Sequence, residues 1–156
     1  MEQSGDQMPI HFQHEEIIRT TPERAFAAID NLSLTADWLP PCVSLTKEGG
    51  GSNEVGDKLR YVYKQGGRQA EMEGRILARV PGERLHCMYN DSMFDVSVDL
   101  RISPKAGETL TTHIVEITPK TLSGKLMSPL IRFGLKKQTR DAARNLKQLL
   151  ESGRDS

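Results

Sequence analysis

The chain has 156 residues, of which 37% are hydrophobic, and this is enough to bury the core of one domain without disulfides or a metal. It carries 21 acidic and 21 basic residues, so its formal charge is zero and no long-range field favours a nucleic acid or an anionic membrane as a partner. The first eight residues lack the pattern of an export signal, and no stretch approaches the roughly 20 apolar residues of a membrane span. We therefore expect a cytoplasmic protein with no integral membrane association.

The beginning of the chain predicts a strand followed by a helix. Residues 11–19 have extended character. Thr21–Glu23 then combines an N-cap, a first-turn proline and an acid at the positive end of a helix that begins at Pro22. The helix should end near Asp30, because the side chains of Asp and Asn compete for backbone hydrogen bonds.

A second short helix is predicted over residues 32–38. Pro40 and Pro41 stop it, because proline lacks a backbone donor and restricts the residue before it. The only tryptophan of the chain, Trp38, is thereby held at the end of an element.

Six further segments alternate like strands, and turns rich in glycine, proline or asparagine separate them. They are Val43–Lys47, Lys58–Lys64, Gln69–Val80, Arg84–Tyr89, Phe94–Ile102 and Thr109–Thr118. The short connections predict an antiparallel meander. The alternation is clearest in FDVSVDLRI at 94–102, whose five apolar residues share one face. The opposite face, which should be exposed to solvent, carries Asp95, Ser97, Asp99 and Arg101.

The same alternation predicts which side chains share the inner face of the sheet. The three sets are Leu59, Tyr61 and Tyr63; Met72, Gly74, Ile76 and Ala78; and Leu85, Cys87 and Tyr89. Many of these side chains are small, flexible or tipped with a polar group, so they can leave space inside the protein. The alternative is that they and the final helix fill the interior completely.

His113 is the best candidate for a general base, and its direction depends on the register of the last strand. If the apolar pair Val115 and Ile117 faces the interior, His113 does too, whereas the competing register buries Leu110 and Ile114. Possible polar neighbours of an inward His113 are Tyr61, Tyr63, Tyr89, His14 and Glu16. The alternative is a satisfied interior histidine without a chemical role.

Cysteine and histidine spacing gives no sign of a metal site. Cys42 and Cys87 are the only cysteines and are expected to be free thiols, although the sequence leaves a disulfide between them open. His11 and His14 are three residues apart in a predicted strand and therefore point to opposite faces, and His86 is likewise opposed to Cys87. No Cys-x-x-Cys, His-Glu-x-x-His or Gly-x-Ser-x-Gly motif occurs. We expect no metal, no cofactor and no covalent catalysis.

The end of the chain, residues 122–151, has a helical period and predicts a long C-terminal helix. Its first half, LMSPLIRFGL, is apolar on nearly all sides. Pro129 either kinks this helix or begins a new one after Ser128. The basic residues that recur every four positions, and that we expect to form a solvated face, are Arg132, Lys136, Arg140 and Arg144.

Four segments together resemble the helix-grip superfamily of START lipid-transfer domains, polyketide cyclases and the birch-pollen allergen. They are IIRTTPERAFAAIDN, DWLPP, GRILARVPGERLHCMY and LSGKLMSPLIRFGLKKQTRDAARNLKQLL, in the superfamily's order. The resemblance implies an α+β helix-grip fold, in which a curved antiparallel sheet of about six or seven strands wraps around a long C-terminal helix and two short helices follow the first strand. It covers residues 10–152 as a single domain, with disordered ends at residues 1–9 and 153–156.

The resemblance also implies an internal apolar cavity for a hydrophobic ligand, closed at one end by the two short helices. Trp38 would then plug or gate that end, and the alternative is that it only anchors the core. The residues expected to contact the ligand are Trp38, Tyr61, Tyr63, Met72, Cys87, Tyr89, Phe94, His113, Leu126, Leu130 and Phe133.

Three functions are compatible with these observations. Binding or transport of a hydrophobic small molecule, a lipid or a polyketide-like compound, by a monomer or homodimer is favoured because no catalytic constellation is found. A polyketide cyclase, aromatase or dehydratase would use His113 or a tyrosine to assist enolisation or dehydration. A protein-interaction module, of the kind that activates chaperone ATPases, would bind its partner through the outer surface. A completely filled interior would favour this third function.

Overall fold

The computed structural model describes residues 9–65 and 67–152. The two predicted disordered ends, residues 1–9 and 153–156, lie outside the described residues except for Pro9. The described strands are β1 (Ile10–Ile18), β2 (Cys42–Lys47), β3 (Lys58–Gln65), β4 (Arg68–Val80), β5 (Arg84–Asn90), β6 (Phe94–Lys105) and β7 (Glu108–Pro119). The described helices are α1 (Pro22–Asp30), α2 (Thr35–Trp38), α3 (Leu122–Leu126) and α4 (Ser128–Glu151), with a 3-10 turn at Leu32–Leu34.

The strands form one antiparallel sheet in the order β1-β7-β6-β5-β4-β3-β2. From β2 to β7, neighbours in sequence are also neighbours in the sheet, and β1 joins the far edge beside β7. The long helix α4 follows the last strand, and the short helices α1 and α2 follow the first. The predicted α+β helix-grip fold is therefore confirmed.

The start of α1 forms as its local chemistry predicts. The hydroxyl oxygen of Thr21 accepts a hydrogen bond from the backbone N–H of Arg24 at 3.1 Å, which satisfies one of the free donors of the first turn. The helix ends at Asp30, and its apolar face, which includes Phe26 and Ile29, is buried.

A β-bulge between Ile76 and Ala78 changes the inner face of β4. Beyond the bulge, Ala78 pairs with His86 on the outer face, so the expectation that Ala78 faces inward with Met72 is wrong. Arg79 takes the inward position instead.

The inward Arg79 side chain ties α1 to the sheet. Its guanidinium donates two hydrogen bonds to the Asp30 carboxylate, at 2.9 and 2.7 Å, and lies 5.4 Å from the centre of the Phe26 ring. Burial raises the pKa of Asp30, but the hydrogen bonds from Arg79 and Asn53 outweigh that effect and hold the pKa below its usual value. The carboxylate is therefore ionised at neutral pH, and the ion pair holds α1 over the inner face.

The outer face of β6 is less exposed than its alternation predicts. Asp99 is only 6% exposed, because Arg84 from β5 donates two hydrogen bonds of 2.9 Å to its carboxylate and Arg101 donates two more. Burial raises the pKa of Asp99, yet these hydrogen bonds lower it below the ordinary value. The prediction of a solvent-exposed face is thus wrong at Asp99.

The C-terminal helical region is divided at Met127. Pro129 begins a new helix and does not kink a continuous one, because α4 begins at Ser128 with the proline in its first turn. α4 packs chiefly against β1 and α2. There Ala143 and Leu146 are fully buried, and Lys147 Nζ donates to a β1 carbonyl. None of the helices described here combines the length and the apolar composition of a membrane span.

Gly74→Ala is expected to destabilise the protein by about 1–3 kcal/mol, the usual cost of overpacking a core. A methyl group at Gly74 would lie 2.5 Å from Cδ1 and 2.8 Å from Cε1 of the buried Tyr89 ring, so the ring must move. Urea unfolding of the two proteins measures the difference.

Gly134→Ala is the matched control for this prediction. Gly134 lies within α4, and a methyl group added there would meet no atom within 4 Å, so the same substitution should raise stability by up to about 1 kcal/mol. Equal unfolding midpoints for the two variants would contradict the close packing at Gly74.

Candidate functional site

A mostly apolar cavity of about 410 Å³ lies between α4 and the inner face of the sheet. It forms because α4 packs against β1 and α2, at one side, and leaves the middle of the curved sheet uncovered. Side chains from β2 to β7 and from α1, α2 and α4 line it, and most of them are aliphatic or aromatic. The alternative in which side chains fill the interior completely does not apply to this structure.

Nine of the predicted contact residues line this cavity. They are Trp38, Tyr61, Tyr63, Met72, Cys87, Tyr89, Phe94, His113 and Leu130. Leu126 and Phe133 do not line it, because their side chains point to solvent. Only one side of a helix can face a cavity, whereas LMSPLIRFGL is apolar around most of its circumference. The segment therefore reaches the cavity through Leu130, whereas Leu126 and Phe133 lie outside it.

The sequence analysis missed several lining residues on α4. They recur at helical spacing and are Ile131, Leu135, Gln138, Thr139 and Ala142. Their spacing of three or four residues was the available signal, since it marks one face of a helix. It also missed Ile29, Leu32 and Thr35, which the short helices add at the other end of the cavity.

Two aromatic rings form a polar region in the cavity wall. The rings of Trp38 and His113 meet edge to face, with centroids 5.9 Å apart and planes at 85°. Both residues are buried, at 4% and 3% exposure. The amide of Asn145 on α4 holds the loop end of α2 in place by donating to the Trp38 carbonyl oxygen at 3.1 Å.

The indole N–H of Trp38 is a buried donor with no hydrogen-bond partner among the described residues. An unpaired buried donor costs free energy, and a ligand oxygen in the cavity could remove that cost. Trp38 thus lines the cavity with its ring and keeps an unpaired N–H inside the protein.

His113 is neutral at physiological pH. Burial is the main cause that lowers its pKa to about 4, and the nearby His14 lowers it further. His14 lies directly across the β1–β7 pair from His113, and its ring N–H donates to Glu16 at 2.9 Å. Neither His14 nor Glu16 lines the cavity. Of the polar neighbours considered for His113, only the three tyrosines share the cavity with it.

The three tyrosines form a second aromatic group, in the cavity wall that β3 and β5 provide. Tyr61 stacks on Tyr63 with ring centroids 5.1 Å apart, and Tyr89 lies 5.4 Å from Tyr61 in a tilted arrangement. Burial raises the pKa of Tyr61 and that of Tyr89. Their hydroxyl groups therefore stay protonated and can donate or accept hydrogen bonds but do not act as bases at neutral pH.

The two thiols are free and unreactive. Cys42 and Cys87 are both buried, and burial raises the pKa of Cys42 to about 11 and that of Cys87 to about 12. A thiol that stays protonated is a poor nucleophile. Within residues 9–65 and 67–152, no three His, Cys, Asp or Glu side chains group as metal ligands.

A serine, a histidine and an aspartate meet on the outer face of the sheet. The ring of His86 lies 2.8 Å from the hydroxyl oxygen of Ser97, and Asp99 is its cross-strand neighbour. Both carboxylate oxygens of Asp99 accept hydrogen bonds from Arg84 and Arg101, so Asp99 does not orient His86 as a catalytic triad requires. This group is a structural network, and it lies outside the cavity.

The cavity opens to solvent beside the first half of α4. Its exposed lining residues include Lys64 on β3 and Leu130, Gly134 and Gln138 on α4. The turn before β6 is fixed by Asp91, whose side chain accepts hydrogen bonds from two backbone N–H groups at 2.8 Å. The mouth thus has one wall on the sheet and one on the helix.

The antiparallel sheet, the long helix and the cavity between them define a helix-grip protein. The sequence matches the family described as polyketide cyclase / dehydrase and lipid transport over residues 9–151, and the chain belongs to that family. No curated protein matches it.

Several solved structures share this fold at low sequence identity. A crystal structure of a Thermus thermophilus protein has a TM-score of 0.76 at 14% identity, covering 92% of this chain and 99% of its own. A START superfamily protein from Mycobacterium smegmatis has a TM-score of 0.76 at 12% identity, covering 91% and 97%. The di-domain ARO/CYC StfQ from the steffimycin biosynthetic pathway has a TM-score of 0.77 at 11% identity, covering 97% of this chain and 54% of StfQ.

Proposed function

We propose that this protein binds and carries a hydrophobic small molecule in its internal cavity. The observation that supports this proposal most directly is the apolar cavity of about 410 Å³, which lies within the usual size range of small-molecule sites. Burial of apolar ligand surface would supply most of the affinity, at roughly 25 cal/mol per Å² before the costs of association.

The ligand of this proposal carries an oxygen atom that accepts a hydrogen bond. The unpaired indole N–H of Trp38 would donate to it, and the neutral ring of His113 meets the Trp38 ring edge to face. A fatty acid, a long-chain ketone or a polyketide-like molecule has such an oxygen on an otherwise apolar body. The shared chemistry is an apolar chain with one carbonyl or carboxyl end.

A cyclase or dehydratase is the second candidate, and the family description favours it. A general base is most effective when its pKa lies near the working pH, and the pKa of about 4 places His113 well below that range. The tyrosines are protonated, and the carboxylate among the lining residues, Asp91, accepts backbone hydrogen bonds in the turn before β6. A carrier therefore needs fewer assumptions than an enzyme.

Native mass spectrometry of freshly purified protein tests the carrier function by detecting a bound lipid or ketone. Trp38 supplies a second readout, because the only tryptophan of the chain lines the cavity and its emission should change when the cavity fills. Titration with a fluorescent fatty acid then gives the affinity. Absence of any bound molecule and of any saturable response to fatty acids and long-chain ketones would contradict the proposal.

Trp38→Phe is expected to weaken binding of a long-chain ketone about fivefold, which corresponds to the loss of one hydrogen bond of about 1 kcal/mol. Binding of the alkane of equal length should change much less, because the phenyl ring keeps most of the apolar contact. Displacement of the fluorescent fatty acid by each compound gives both affinities. An equal loss for ketone and alkane would show that the indole N–H has no role.

A further inference from the structure

A row of large apolar side chains is exposed on the outside of α3 and the first turns of α4. Leu122, Leu126, Leu130 and Phe133 are 73%, 75%, 69% and 84% exposed. Leu122 and Leu126 are four residues apart on α3, and Leu130 and Phe133 are three residues apart on α4, so each pair shares one side of its helix. We call these four residues the apolar stripe. Leaving so much adjacent apolar surface in water is unfavourable, and such patches mark interaction sites.

The charge around the apolar stripe is strongly one-sided. Residues 117–140 contain six basic residues and no acidic residue, whereas the remaining chain carries an excess of six acidic residues. Two of the six are neutralised, because Lys120 pairs with Asp95 and Lys137 with Asp141. Among the described residues, no carboxylate pairs with the side chains of Lys125, Arg132 or Lys136. The zero net charge of the whole chain therefore hides a basic segment that contains the stripe.

The apolar stripe also borders the cavity mouth. Leu130 belongs to both, since it is exposed and lines the cavity. Ile131 and Gly134, which neighbour Leu130 and Phe133 in the same turns of α4, line the cavity as well. A molecule that leaves the cavity on this side would therefore meet whatever covers the stripe.

We infer that the apolar stripe docks on an anionic lipid bilayer. Its leucine and phenylalanine side chains enter the boundary between head groups and acyl chains, and the surrounding basic side chains contact the anionic head groups. The charge separation in the molecule turns the basic side toward the membrane before contact. The zero net charge of the whole chain gave no reason to expect an anionic membrane as a partner. This proposal replaces that expectation.

A bilayer fits this surface better than a second copy of the chain. A twofold contact through the stripe would bring the basic residues of both copies together, and like charges at close range oppose association. The docking inference itself does not depend on the cavity ligand. Together with the proposed function, it implies that a hydrophobic ligand passes between membrane and cavity without crossing water.

Co-sedimentation with vesicles tests the inference on the full chain. The protein should bind vesicles of phosphatidylcholine mixed with phosphatidylglycerol, and should bind much less to phosphatidylcholine alone. Leu126→Ser combined with Phe133→Ser should lower the partition coefficient at least tenfold. Arg132→Gln combined with Lys136→Gln should lower it roughly twentyfold, about fivefold for each charge. Raising the NaCl concentration from about 0.1 M to about 0.5 M should weaken wild-type binding.

Two control variants distinguish the stripe from general surface effects. Val55→Ser removes another exposed apolar side chain in the β2–β3 connection, and Lys105→Gln removes an exposed charge at the β6–β7 turn. Both should leave vesicle binding unchanged. The stripe variants should match the wild type in circular dichroism and thermal midpoint, because the substituted side chains are exposed. Their affinity for a fatty acid in solution should also be unchanged, because Leu126 and Phe133 do not line the cavity.

Several outcomes would overturn the inference. Failure of the wild-type protein to bind anionic vesicles, or equal binding to both vesicle types, rejects an anionic bilayer as the partner. Loss of binding in the control variants to the same degree would reject the stripe as the contact surface. A dimer in size-exclusion chromatography that dissociates in the Leu126→Ser and Phe133→Ser double variant would show that the stripe joins two copies of the chain.

Discussion

Val98→Trp is expected to lower ligand affinity at least a hundredfold while the protein stays folded. Val98 lies on β6 and its side chain lines the cavity, so an indole at this position occupies the volume that a ligand needs. The substitution adds apolar atoms to existing free space, and overpacking should therefore cost at most about 1–3 kcal/mol. Titration with a fluorescent fatty acid, checked by native mass spectrometry, measures the loss.

Val80→Trp is the control for cavity blocking. Val80 is a half-exposed valine at the end of β4 and does not line the cavity, so a tryptophan there should leave affinity unchanged. Wild-type affinity in a folded Val98→Trp protein would place the ligand outside the cavity and contradict the proposed function. Vesicle binding should be the same in both variants, which separates a failure of the cavity proposal from a failure of membrane docking.

The stability of the protein is expected to fall as the pH drops from about 6.5 to about 4 because His113 is buried as a neutral ring. In the unfolded chain this histidine takes up a proton near pH 6.5, whereas burial keeps its pKa at about 4 in the folded protein. Over this interval the unfolded state binds more protons than the folded state, so stability increases with pH. Across the full interval the free energy of unfolding should fall by about 3 kcal/mol, and water in the cavity would make this change smaller.

His113→Gln isolates this contribution from the carboxylates that also titrate. The variant should lose less stability between pH 6.5 and pH 4 than the wild type, whatever its stability at pH 7. Chemical unfolding at several pH values gives the two curves. His86→Gln is the comparison, and its effect should be smaller because His86 is partly exposed and the attraction of Asp99 opposes the effect of burial on its pKa. Parallel curves for wild type and His113→Gln would mean that His113 is hydrated and titrates normally.

His113 also distinguishes the two functions. A carrier that uses the ring only to orient a ligand should lose roughly fivefold in affinity on His113→Gln. A cyclase that uses it as a base should keep its affinity and lose a hundredfold or more in rate. The low pKa of His113 favours the first result.

The sequence predicted well those parts of the fold that depend on residues close together in the chain. The hydrogen bond from Thr21 to the first turn of α1, the stop of α2 before two prolines and the alternation of β6 all follow from local backbone chemistry. The inward direction of His113 agrees with the register that the apolar pair Val115 and Ile117 favoured. Alternation predicts these directions because successive residues of a regular strand point to opposite faces.

Predictions failed where a distant part of the chain decides the outcome. One extra residue after Ile76 reverses the direction of Ala78, because the bulge depends on how β4 pairs with β5. Asp99 is buried because Arg84 arrives from a neighbouring strand and pairs with it. Phe133 points outward because the packing of α4 against β1 fixes which side of the helix faces the sheet.

By itself, the sequence determined the order of the elements, most of their boundaries, and most of the residues of the sheet that face inward before the bulge in β4. These follow from periods of two and of about 3.6 residues and from capping and turn residues, which act over short distances. Only the tertiary structure decided that the interior is partly empty, that the Trp38 indole N–H has no partner among the described residues, and that the apolar stripe is exposed to solvent. Free volume, unpaired donors and exposed patches depend on how separate elements pack, and no local pattern records that packing.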